Sequence, residues 1–363
     1  MMGLINIACE QCLLTLLAPA ENIRPRGPVP QEARSEFRNN GDSMPKLKEV
    51  TPRVRVGHAI SRKNLTIFPL FADEPVVHAE YLPVGIAIRT GVGKVTEISE
   101  AGSVPRLAIE NLGVIPVLII DGEELLGARQ NRIANLTILA PGKKTIPIPV
   151  SCTERGRWGY QGGSASKARE FTESPDVMFH QARAQKMKDV THSLANFGAR
   201  MSDQGGVWNA IGIMSSKLGY ASPTHAIRDV YENHKDHIDS YLKGVEAEKG
   251  QIGAIFAING CAAGVEIFDS PETLANYLPK IVRSYALDAL ANQTAVAGAD
   301  ETEATHLLDS ILELEAQSFP AVGLGDDLRI ESPNISGGAL SYDGRIVHLA
   351  AFNTAPPKPN GKN

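Results

Sequence analysis

Hydrophobic positions between residues 60 and 158 come in short runs, and several of them alternate with polar ones. Leu65–Phe71 (LTIFPLF) is an apolar run closed by Ala72-Asp73-Glu74-Pro75, and Val95–Ile98 reads as a short strand. Leu107–Asn111 alternates, the pattern of a strand with one buried face. Val114–Ile120 (VIPVLII) is continuously apolar, as in a strand buried on both faces, and Asp121-Gly122 breaks it with turn chemistry. Arg132–Leu139 is again rich in strand formers. Thr145–Cys152 (TIPIPVSC) alternates, but Pro147 and Pro149 lack the N–H a central strand donates, so an edge strand or irregular ribbon is expected. Short strands spaced by roughly ten residues predict an antiparallel sandwich or barrel-like unit.

The periodicity changes after Gln161-Gly162-Gly163-Ser164, a linker-like break, and residues 174–245 read as helices. Ser174-Pro175 has the form of an N-cap followed by proline at the first helical position. Val207–Lys217 is the next helix, and Pro223–Val245 follows behind Ser222-Pro223. In the latter, Ile227, Val230, Tyr231, His234, Ile238 and Tyr241 recur at helical spacing and form the expected buried stripe. From 251 to 353 strands and helices mix. Ile252–Ile258 and Gly264–Phe268 flank Asn259-Gly260, a two-residue hairpin signal. Ser270-Pro271-Glu272 opens a helix to about Leu290, and Glu303–Gln317 is a second. Leu328–Glu331, Gly338–Tyr342 and Arg345–Phe352 are strands, with Asp343-Gly344 as a hairpin turn. The fold class is therefore α+β: a β-rich, antiparallel N-terminal half (60–158), a helical middle (174–245) and a mixed section (251–353), together one domain over 44–353.

The two ends carry no such pattern. Leu13–Ala20 resembles the tail of a secretory signal, but no basic segment precedes it and Cys9-Glu10-Gln11-Cys12 interrupts it. Arg24–Ser43 is polar and aperiodic. The expectation is that residues 1–43 are disordered or an over-extended start, with Met44 as the initiator, and that 354–363 form a disordered tail. The composition narrows the class. Of 363 residues, 43% are apolar and 21% charged, values of a folded globular chain. The formal net charge of −5 argues against general nucleic-acid binding, which needs a basic face. Four cysteines are too few for a disulfide scaffold, and no apolar run reaches the roughly 18 to 20 residues of a membrane helix. A cytoplasmic protein is expected.

The densest chemistry lies in Gly122–Arg132 (GEELLGARQNR), directly after the most apolar strand. Glu123 and Glu124 can act as general base or hold a cation, and Arg129 and Arg132 can grip phosphate beside the amides of Gln130 and Asn131. Gly122 and Gly127 permit unusual backbone geometry or the close approach of a ligand. The second segment is Ser151–Trp158 (SCTERGRW), where Glu154 is a third candidate acid. Arg157 can meet phosphate there, and Trp158 can stack on a base or sugar. Cys152 reads as a small core residue. Gln204–Trp208 (QGGVW) opens a helix whose amides could hold an anion, although a glycine turn beside a core tryptophan is the plainer reading. No metal set is identifiable: His234 and His237 lack further ligands, and Asp326-Asp327 reads as an acidic turn.

GEELLGARQNR followed by IPVSCTERGRW, together with QGGVW and IFAINGCAAGVEIFDSPET, resembles the first of the ADP-ribosylglycohydrolase- and rhodanese-phosphatase-associated protein domain families, over about residues 60–353. The resemblance implies a place near the metabolism of NAD or ADP-ribose derivatives and brings no assigned mechanism or cofactor. Three functions stay open. In one, an ADP-ribose-like nucleotide is bound or processed, with Glu123 or Glu124 as base, Arg129, Arg132 and Arg157 on the diphosphate and Trp158 on adenine. In another, the chain is a non-catalytic interaction module for partner enzymes that process ADP-ribose. In the third, Glu123, Glu124 and Glu154 hold a divalent cation for hydrolysis.

Overall fold

The computed structural model describes residues 46–73, 78–99, 102–159, 169–294 and 298–355. The expectations for residues 1–43, for the break at Gln161–Ser164 and for the tail beyond residue 355 lie outside the described residues. Helix α1 (Leu47–Val50) and strands β1 (Val54–Val56), β2 (Ile60–Arg62) and β3 (Leu65–Ala72) come first, then β4 (Leu82–Pro83) and α2 (Val84–Arg89). Eight strands follow: β5 (Gly93–Glu97), β6 (Arg106–Asn111), β7 (Val117–Ile119), β8 (Glu123–Gly127), β9 (Arg132–Ala134), β10 (Ile138–Ala140), β11 (Lys144–Cys152) and β12 (Glu170–Val177). Four helices form the middle: α3 (His180–Phe197), α4 (Gln204–Lys217), α5 (Ile227–Asn233) and α6 (Lys235–Leu242). The last section holds β13 (Gln251–Ile258), β14 (Cys261–Phe268), α7 (Pro271–Ala291), α8 (Glu301–Leu312), β15 (Gln317–Pro320), β16 (Asp326–Ser332), β17 (Ile335–Tyr342) and β18 (Arg345–Asn353).

The α+β class holds, with strands gathered into two main bodies. One is a nine-stranded antiparallel sheet in the order β1-β3-β13-β14-β18-β17-β16-β15, with β2 also on β3. Phe68, Ile255, Val265 and Leu349 pack one face of it against Leu307, Leu308 and Ile311 of α8. Ile67, Phe256, Phe268 and Phe352 pack the other face against Tyr277, Ile281 and Tyr285 of α7 and Met187 of α3. Cover on both faces explains why LTIFPLF and IGAIFAI read as continuous apolar runs. The second body is a closed barrel, β11-β6-β5-β12-β8-β9, filled by Val95, Leu107, Ile109, Leu125, Ile148, Val150 and Phe171. A small sheet, β10-β7-β4, adjoins it, and its β4–β7 pair is parallel.

Several local expectations change. Arg132–Leu139 is two strands in different sheets, and only Val117–Ile119 of the long apolar run is paired. β11 is part edge and part interior: its proline-bearing half pairs with β6 alone, and β9 joins only at Val150–Cys152. The prolines thus fall where β11 has one neighbour and its missing N–H groups cost little. Ser174-Pro175 does not start a helix. It lies in β12, where pairing with β8 shifts register between Glu173 and Val177, a bulge that suits a residue without an N–H. The 223–245 segment is two helices that meet at His234, yet Ile227, Val230, Tyr231, Ile238 and Tyr241 are buried as their spacing requires. The helix expected over 303–317 is capped by Asp300 and ends at Leu312, and Gln317–Pro320 is a strand.

A ring of buried polar bonds joins barrel, sheet and helix. Asp121, in the turn between β7 and β8, pairs with Lys186 Nζ and with Arg183 Nε (3.1 Å), both on α3. Arg183 Nη1 reaches Glu266 on β14 (2.6 Å), and the other Glu266 oxygen meets His348 Nε2 on β18 (3.0 Å). His348 Nδ1 contacts Thr137 Oγ1 (2.7 Å), which accepts the Asp121 N–H (3.1 Å) and closes the ring. Burial by itself would raise the Asp121 carboxyl, but Lys186 and Arg183 outweigh it and hold it below the usual carboxylate range. Gly122 is needed here: its φ is +75°, and a Cβ would stand 2.9 Å from Arg183 Cδ and Nε. The close approach its sequence position promised is made by Arg183. Asp121→Asn leaves two buried cations short of charge and is expected to cost about 3 to 5 kcal/mol in urea unfolding. Loss of the exposed Lys48–Glu313 pair in Lys48→Ala should leave the unfolding midpoint almost unchanged.

Candidate functional site

The two polar motifs meet at one end of the barrel, and Arg157 knits them together. Its Nε donates to both oxygens of Glu154 (3.0 and 2.9 Å). Its Nη1 donates to the carbonyls of Ala128 (2.6 Å) and Gly159 (3.0 Å), and its Nη2 to Asn131 Oδ1 (3.2 Å). Asn131 Oδ1 also accepts from Gly127 N (3.1 Å), and Asn131 N donates to Glu154 Oε2 (3.3 Å). Planar, multidentate donation of this kind is what a guanidinium offers and an ammonium does not. GARQNR and TERGRW are therefore one folded unit, in which Arg157, Glu154 and Asn131 fix the loop geometry.

Below that lip lies the barrel interior. Alternation along β5 puts Glu97 on the same inward side as Val95, and Glu97 registers with Leu107. Arg132 registers with Leu125 on one flank and Cys152 on the other, so its side chain also points inward. Glu97 is 2% and Arg132 0% exposed. Arg132 Nη1 donates to Gln130 Oε1 (3.2 Å), while Arg132 Nε and Nη2 and both oxygens of Glu97 have no hydrogen-bond partner. Arg132 Nη2 stands 4.0 Å from Glu97 Oε1. Burial pushes the neighbouring Cys152 thiol up to about 11, against the pull of Arg132, so it stays protonated at neutral pH. The side-chain amide of Gln204 clasps the Cys152 peptide at both N–H (2.7 Å) and C=O (2.9 Å). Above the pair, Trp158 is 48% exposed, with the guanidinium carbons of Arg129 and Arg132 at 5.5 and 5.8 Å from its ring.

The structure thus brings Arg129, Gln130, Asn131, Arg132, Glu154, Arg157 and Trp158 to one place, and it puts Glu123 and Glu124 elsewhere. Glu123 pairs with Lys280 Nζ (2.9 Å) and accepts from Tyr277 Oη and Ile120 N (both 3.2 Å). Glu124 accepts from Ser174 Oγ (2.8 Å) and Thr153 Oγ1 (3.2 Å). Burial, reinforced by nearby Asp176, pushes the Glu124 carboxyl up to about 8, so it is protonated at neutral pH. Glu97 is the residue that reading the sequence missed. The signal was there: a carboxylate at an inward position of an alternating strand has to be buried.

At the other signals, Asp203 caps α4 by accepting from Gly205 N (2.9 Å), so a carboxylate of the chain itself already serves that helix start. Asp327 is tied to Arg200 (3.1 Å) and Arg329 (2.8 Å). Among the described residues no group of three or more His, Cys, Asp or Glu is placed to hold a metal ion. No helix among them is long and apolar enough to cross a membrane.

Fold and site define an α+β protein in which a small closed barrel, with a charged and aromatic mouth, is fastened to a large two-sided sheet. The chain belongs to the ARPP-1 family, the ARG and Rhodanese-Phosphatase-superfamily-associated Protein domain, which matches residues 53–352. The family name records an association with ADP-ribosylglycohydrolase proteins. No curated protein and no solved structure matches the chain significantly.

Glu124 generates a pH test. Its folded-state affinity for the proton is raised above the unfolded value, so the unfolded chain releases the proton first as pH rises. Its contribution to stability is fully present below about pH 4.5 and is lost as pH climbs towards 8. Glu124→Gln keeps the shape and cannot ionise. In denaturation series from pH 5 to 9, the difference in stability between variant and wild type should move in the variant's favour as pH rises. A difference that stays constant with pH would refute the protonated state.

Proposed function

We propose that this chain binds an ADP-ribose-like nucleotide at the barrel mouth. The observation that carries the reading is Trp158, half exposed beside two guanidiniums on a rigid rim. An exposed indole among cations suits an electron-rich, anionic ligand: the ring stacks on adenine, and Arg129, partly exposed beside it, meets the diphosphate. Arg157 is spent on the loop clamp and acts by holding that rim in shape. A second reading, a non-catalytic module that supports ADP-ribose-processing enzymes, draws on the internal engagement of Glu123, Glu124 and Glu154. The two readings are compatible if binding is the whole activity. We place the protein in the cytoplasm, a reading to which the free thiols of Cys152 and Cys261 are suited.

Thermal unfolding with ADP-ribose, NAD and AMP tests the proposal. A ligand at 100 times its Kd adds about 2.7 kcal/mol, so a rise in Tm of a few degrees is expected with ADP-ribose. Trp158→Ala should unfold near the wild-type temperature and lose most of that rise. Unchanged midpoints for the wild type across all three compounds would overturn the reading.

A further inference from the structure

Glu97 and Arg132 form a pair of opposite charges with no net charge, both buried and both with atoms that have no hydrogen-bond partner, and the Arg132 guanidinium lies 5.8 Å from the ring of Trp158. Such groups cost free energy unless something pairs them, and the pairing group has to satisfy a donor and an acceptor at once. A phosphate does not qualify, because it would set its own charge against the Glu97 carboxylate in a dry site. A hydroxyl does: it donates one hydrogen bond and accepts others. Two bonds of about 2.8 Å meeting at a hydroxyl oxygen at roughly 90 to 110° place their far ends about 4.0 to 4.6 Å apart. The Arg132 Nη2 to Glu97 Oε1 separation is 4.0 Å. Arg132 Nε and Glu97 Oε2 are a second donor and a second acceptor without a hydrogen-bond partner, available to a neighbouring hydroxyl.

We infer that the Glu97–Arg132 pair reads the vicinal hydroxyls of a ribose, a role that rests on the nucleotide reading above and assigns Arg132 to sugar where its charge alone suggested phosphate. The geometry of the rim agrees. Gly102 has a φ of +75°, and a Cβ on it would lie 3.5 Å from Glu97 Oε2 and 2.9 Å from Arg129 Cδ. The Glu97 carboxylate and the Arg129 side chain thus lie together against Gly102, and the Arg129 guanidinium carbon stands 5.5 Å from the Trp158 ring. A base on Trp158 and a diphosphate near Arg129 leave the sugar as the part of the ligand that enters.

The test is calorimetric titration of the full-length protein with ADP-ribose and with its 2′-deoxy and 3′-deoxy forms at each ribose. At one of the two riboses, loss of a hydroxyl should weaken binding at least about tenfold, because a buried pair built for a hydroxyl is then left unsatisfied. Glu97→Gln, checked for its folded state by thermal unfolding, should reduce that discrimination. Because the deoxy series is read on the wild type, the test survives a poorly folding variant. Equal affinity for all forms would overturn the inference, leaving a bridging water as the pair's partner, while the nucleotide reading stands. Failure of ADP-ribose itself to bind would overturn both.

Discussion

Everything in this fold hangs on the carboxylate of Asp121. It sits in the turn that leads from β7 of the small sheet into β8 of the barrel, and it pairs with both Lys186 and Arg183. Lys186 carries the link on to the carbonyls of Ala134 and Asn135, and Arg183 carries it to Glu266 on the large sheet. A buried charge set of this kind is weak evidence of added stability, since apolar replacements often do as well. Its value lies in specificity. Apolar packing would let a barrel slide or rotate on a sheet, whereas five directional bonds closing in a ring admit one orientation.

That orientation leaves one end of the barrel facing outward, and the local chemistry there divides its labour. Arg157, Glu154 and Asn131 are consumed in holding the loops. Trp158 and Arg129 stay near solvent, and Glu97 and Arg132 wait below with unsatisfied atoms. Natural cores rarely tolerate such atoms, and those that persist tend to mark function. Of the acids that chemical intuition first picks out, Glu123 is paired with Lys280, and Glu124 is kept protonated by burial and by nearby Asp176.

The chain's patterns disclosed the fold more readily than the site. Hairpins at Asn259-Gly260 and Asp343-Gly344 were legible because only a few residues accept positive φ, and Asn259 and Asp343 do so here. The buried runs of β3 and β13 were legible because cover on both faces leaves no polar alternation. Ser174-Pro175 misled because the same dipeptide suits a helix start and a strand bulge, and only the neighbouring β8 decides. The charged motifs could be found but not sorted. Whether Arg157 is a clamp or a ligand contact depends on carbonyls at Ala128 and Gly159 that happen to point at it. The pairing of Arg132 with Glu97 joins strands whose contact follows from barrel closure, which no local pattern encodes.

A nucleotide held on Trp158 has to be sensed by that indole. The chain has two tryptophans, and in a Trp208→Phe protein the indole emission reports Trp158 alone. Titration of that protein with ADP-ribose should change the emission saturably, with a midpoint equal to the calorimetric Kd. Emission that stays constant through a concentration range in which calorimetry registers binding would place the ligand elsewhere and contradict the account.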